Sequence, residues 1–119
     1  MGAAGSPHAT FQRALKQGNL TMAVAVAREL PFVRLGDALA LTLLILERDP
    51  PRYSTAAARW AARFVLEVTP APTLAESQLL SAALADLPSA PARETLARIC
   101  AARGLQECTA ALERWSLAA

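Results

Sequence analysis

The chain sets apolar residues at helical spacing and interrupts them at short intervals with residues that start or stop helices. Ser6-Pro7 opens a first helix, serine as N-cap and proline at the first helical position, and Gly18 closes it. Asn19 caps a second helix that ends before Pro31. A third runs from about Leu35 to Arg48 with Asp37 near its positive end. Its leucines point in all directions, which predicts the central buried helix. Asp49 is expected to cap a fourth helix, with Pro50 and Pro51 in its first turn and an end near Val68.

Pro70-Ala71-Pro72 reads as a stiff connector. Thr73-Leu74-Ala75-Glu76 then fits a capping box, Thr73 at the N-cap and Glu76 three residues on. This fifth helix continues to Leu87 and stops at Pro88. Ser89 opens a sixth, ended by Gly104 just past the helix. Leu105, Leu112 and Trp115 carry the helical spacing through a last segment.

These elements predict an all-α fold of about six to seven short antiparallel helices in one domain over residues 1–119, with residues 1–6 a flexible N-terminus. Short connections make sequence neighbours pack antiparallel. Helices three and four, and five and six, each span roughly 30–35 residues, near the period of two-helix repeats. Asp49-Pro50-Pro51-Arg52-Tyr53, and Gly18-Asn19-Leu20 before Ala23 and Ala27, have a tetratricopeptide-like flavour, but no pair carries the full consensus. Stacked helical hairpins of tetratricopeptide or HEAT type and an irregular bundle both fit.

Composition strengthens the helical reading. Apolar residues make up 54 % and charged residues 18 %, and alanine alone is roughly a quarter of the chain. Alanine and leucine are the best apolar helix formers, and the 5 % aromatic content disfavours sheet. The most apolar run, Ala38 to Leu46, is too short to cross a bilayer. No membrane association is expected, and a cytoplasmic setting is the simplest one for two cysteines that make no disulfide framework. Two targeting patterns compete with the fold for the N-terminus. Met1-Gly2-Ala3-Ala4-Gly5-Ser6 matches an N-myristoylation signal, but only Arg13 and Lys16 follow as a second anchor. The first 28 residues lack acids, as transit peptides do, yet Gly18-Asn19 splits them into two helices that belong to the fold.

Candidate chemistry concentrates on the fourth helix. Arg52, Arg59 and Arg63 fall within about 40° of one another at 100° per residue. Tyr53, Trp60 and Phe64 form a second stripe roughly 100° around it. No acid occurs from Pro50 to Leu66. The plain reading is an amphipathic helix whose aromatics enter the core while the arginines lie along its boundary. The sharper one is an interaction ridge of Arg52, Arg59 and Arg63 with Trp60 as anchor, suited to an acidic protein partner, since arginine and aromatics dominate interface hot spots.

Other chemistries lack parts. A helix-turn-helix nucleic-acid reader would need the segment from Thr95 to Arg114, with Ile99, Gly104 and Leu105 in fitting places. Its second helix carries Glu107 and Glu113 against one arginine, and the net charge is only +2, so nucleic acid is the weaker alternative. His8 is the only histidine, and Cys100 and Cys108 lie eight apart, so no metal site is expected and the cysteines read as small core hydrophobes. The acids scatter to helix ends and there is no phosphate-binding loop, so neither catalysis nor a cofactor is expected. Leu112, Trp115 and Leu117 either cap the open end of the fold or pair two copies as a homodimer. In its alanine, arginine and leucine dominance and its Asp-Pro and Thr-x-x-Glu helix starts, the chain resembles small all-helical proteins of high-GC bacteria. That resemblance implies no activity.

Overall fold

The computed structural model describes residues 6–118, with side chains through Trp115. The N-myristoylation pattern and the Leu117 side chain fall outside the described residues. Seven helices follow in order: α1 Pro7–Gln17, α2 Leu20–Glu29, α3 Leu35–Arg48, α4 Tyr53–Glu67, α5 Leu74–Asp86, α6 Ala90–Ala102 and α7 Gln106–Ala118, with a 3-10 turn Pro50–Arg52 before α4. No strand occurs among the described residues.

The helix starts follow side-chain chemistry. Ser6, Asn19, Thr73 and Ser89 each accept from a backbone N–H in the first turn of the helix they precede, satisfying a donor the helix leaves open. Gly18 and Gly104 stand at the ends of α1 and α6 with φ of 67° and 69°, where a side chain would be strained. One start differs from expectation. Asp49 makes no cap hydrogen bond; Pro50–Arg52 form a 3-10 turn, and the Asp49 carboxylate pairs with Arg52 instead. At α5 the Thr73 backbone also holds the Glu76 carboxyl, as a capping box predicts. The same carboxylate is held by Arg103, whose Nε donates to Oε2 at 2.9 Å and whose Nη2 reaches Oε1. A second arm of Arg103 meets the Pro70 carbonyl. One guanidinium thus ties the α6–α7 turn to the α4–α5 connector and the start of α5. The Arg103 hydrogen bond holds the Glu76 carboxyl below its ordinary range.

α3 is the hub, packed against α1, α2, α4 and α7. Its leucines point around the helix because they serve two clusters. Leu39 and Leu43 enter the larger core with Trp60, Phe64, Leu80, Leu96 and Leu112. Leu44 enters a smaller one with Phe11, Ala14, Ala23 and Val26. In a solenoid each repeat touches only its neighbours. Here α7 returns past α4, α5 and α6 to pack along α3, and closes an irregular bundle rather than a stack of repeats. Gly36 permits that approach: a Cβ there would lie 2.5 Å from the Cβ of Glu107.

The Trp115 indole nitrogen is buried without a hydrogen-bond partner, whereas two buried hydroxyls are paired. Thr42 donates its hydroxyl to the Ala38 carbonyl, and Tyr53 donates to the Leu84 carbonyl at 2.6 Å. Tyr53 is the only tyrosine, and burial pushes its pKa up to about 12. The raised value means that the neutral phenol supports the fold at pH below the free value of about 10, and that this support is lost as pH rises towards the folded one. Tyrosinate absorbance in the native protein should therefore appear only near pH 12, and in urea near about 10. A native titration near the free value would show that the phenol is solvated.

Candidate functional site: an arginine-rimmed groove

α2 and α4 both pack on α3 but not on each other. The gap between them is a groove of about 640 Å³. Its floor is α3, through Ala38, Leu41, Thr42 and Ile45, and its walls carry Val24 and Ala27 from α2 and Thr55 and Ala56 from α4. Val33, from the loop before α3, closes one end. The surface so lined is mostly apolar and half-buried, although no side chain of the described bundle fills it.

Four cations stand around this groove: Arg28 from α2, and Arg52, Arg59 and Arg63 from the α4 side. No acid lines it. The three arginines singled out from helical spacing do share one surface, but Arg52 sits in the 3-10 turn at the foot of α4 rather than within it. Their local bonds differ. Arg52 Nε lies 3.3 Å from Asp49 Oδ2, in an exposed pair. Arg63 is bound twice by Glu67, Nε to Oε2 at 2.6 Å, and its guanidinium lies 5.2 Å above the centre of the Phe32 ring. Phe32 is itself 64 % exposed, so ring and guanidinium meet at the surface beside the groove. Arg28 and Arg59 are exposed and make no ion pair or hydrogen bond with the described residues.

Trp60 corrects one expectation. It is 2 % exposed, its indole N–H donates to the Leu35 carbonyl at 2.9 Å, and its ring leans on Phe64 with centroids 5.8 Å apart. It supports the groove from beneath and cannot serve as an exposed anchor. Tyr53, Trp60 and Phe64 are all buried, so the aromatic stripe enters the core while the arginines flank it. Arg28 and Phe32 were missed by the sequence reading. They lie on another element, and no spacing along the chain connects them to α4.

Of the remaining candidates, α7 buries Cys108, Ala111 and Leu112, and its Glu107 pairs with Arg34 at 3.1 Å. Its exposed positions Gln106, Glu107, Glu113 and Arg114 carry two acids against one arginine. Cys100 and Cys108 are buried free thiols beside each other; contact with Cys108 and burial push the Cys100 thiol up, which keeps it protonated. No cluster of three metal-ligating side chains occurs among the described residues. No described helix is long and apolar enough to cross a membrane. A second groove of about 680 Å³, between α1, α3 and α7, is also positive, with Lys16, Arg48 and Arg114 against Glu47, but its lining is less apolar. Comparison with known proteins finds no matching family model, no matching curated protein and no matching solved structure.

Proposed function

We propose that this chain is a non-catalytic protein-interaction domain that engages its partner through the α2–α4 face. One observation carries the reading: four arginines and no acid surround a groove with an apolar floor. Such a surface combines what interfaces use for affinity, apolar area that sheds water, with charge that selects and steers an acidic partner. Nothing on the same face supplies a base, a nucleophile or a ligand set, so binding rather than turnover is the chemistry it suits. A nucleic-acid backbone would use the arginines and leave the apolar floor empty.

The test is affinity capture with the protein and with an Arg52→Ala, Arg59→Ala, Arg63→Ala triple variant, read by mass spectrometry. The variant should keep its far-UV circular dichroism, because Arg52 and Arg59 are exposed and Arg63 bonds only to surface groups. It should lose the specific partner. Equal capture by both proteins overturns the proposal.

A further inference from the structure

Resting on that reading, we infer that the groove seats an amphipathic α-helix of the partner protein, apolar along one stripe and acidic on both sides of it.

The shape of the groove asks for a helix. Two helices that share a neighbour but do not touch leave a slot, and packed helices sit about 8–10 Å apart. A further helix laid over α3 would contact α2 and α4 at once and complete the bundle locally. The floor runs from Ala38 to Ile45, about 12 Å of α3, so about two turns of partner lie on it.

Hydrogen bonding favours a helix over an extended peptide. A strand buried on this floor would bring unpaired amides and carbonyls against Ala38, Leu41, Ile45 and Ala27. The Thr42 hydroxyl already donates to Ala38, and no sheet edge exists among the described residues. Burying unpaired backbone is costly, whereas a helix satisfies its own backbone before it docks.

Charge sets the flanks. Arg28 and Arg59 come from opposite walls, and neither has an ion-pair partner among the described residues. Arg52 and Arg63 add positive charge but already hold Asp49 and Glu67. Acids on both sides of the apolar stripe would meet the two unpaired guanidinia, as flanking charges select partners in coiled coils. A second copy of this chain, itself +2, offers no such excess of acid. A fatty acid would use the floor but has one carboxylate for four arginines.

The experiment selects binders from a displayed library of randomised peptides of about 16 residues, about four helical turns and enough to flank the floor at both ends. Enriched sequences should repeat apolar residues at i, i+3, i+4 and i+7 with Asp or Glu beside them, and the best peptide should gain helical circular dichroism on binding. Arg59→Glu should weaken it about tenfold or more, as loss of a central arginine contact does. Arg98→Glu, an exposed α6 position outside the groove, should leave affinity unchanged. Changing the peptide's facing acids to lysine should restore binding to the Arg59→Glu protein. Extended, basic or unpatterned winners, no winners at all, binding of palmitate with no peptide selected, or indifference to Arg59→Glu would each overturn the helix. If the helix fails while the triple-alanine variant still loses its partner, the interaction face stands and only its occupant is wrong. If both fail, both are overturned.

Discussion

Replacing Trp60 by alanine is expected to lower the unfolding free energy by about 3–5 kcal/mol. The ring is buried in the larger core between α3 and α4, against Phe64 and beside Leu39 and Leu43. Removing it leaves a cavity that rigid helices cannot close, and it deletes the link from the indole N–H to the Leu35 carbonyl. Domains have only about 5–15 kcal/mol in total, so the variant should melt far earlier or be partly unfolded at room temperature. Trp60→Phe separates the two losses: it keeps most of the packing and removes the hydrogen bond, at about 1–2 kcal/mol. Urea unfolding followed by far-UV circular dichroism measures both. The same pair bears on the site. An exposed interface anchor would cost affinity and little stability; a core tryptophan beneath the groove costs stability first. A Trp60→Ala loss under about 1 kcal/mol would mean that the ring is not packed as described.

Gly36→Ala is expected to destabilise the fold by about 1–3 kcal/mol, the usual cost of overpacking. On an isolated helix the same change would help by about 1 kcal/mol, because alanine is the better helix former. The sign reverses because Gly36 lies where α3 meets α7. An added Cβ would stand 2.5 Å from the Cβ and 3.0 Å from the carbonyl carbon of Glu107, and 3.2 Å from the Cys108 nitrogen. These are stem and backbone atoms, which cannot swing aside, so the two helices must part. The urea midpoint of Gly36→Ala should fall while its helical signal stays near that of the parent. A raised midpoint would show that α7 does not approach α3 so closely. The measurement also tests the closure of the bundle, since a stack of repeats would have no contact at this glycine.

The groove depends on the same closure. α7 covers one side of α3, α1 and α2 pack on another, and α4 occupies a third. The sector between α2 and α4 is left uncovered. An interaction surface in this bundle is therefore a place where a helix is missing, and its arginines mark what the absent helix should carry.

The helices and most of their limits are legible in the chain. Serine, asparagine, threonine, proline and glycine act on the backbone within three or four residues, so Ser6, Asn19, Thr73, Ser89, Gly18 and Gly104 could be read from the chain alone. Helical spacing likewise sorted Tyr53, Trp60 and Phe64 from Arg52, Arg59 and Arg63, because the helix fixes their relative angles. Local rules do not see distant groups. Glu76 meets the Thr73 backbone as its spacing predicts, but Arg103, 27 residues on, also holds its carboxylate, and nothing near Glu76 announces it. Which of Leu79 and Leu80 is buried was equally invisible; Leu79 is 53 % exposed and Leu80 fully covered, because only one faces the core. Tertiary structure alone decided that α7 crosses back to α3, that Arg28 and Phe32 join the arginines of α4, and that Trp60 lies beneath their surface. Each depends on how rigid helices divide the space around α3, and that packing reflects the shapes of all seven together rather than any spacing along one.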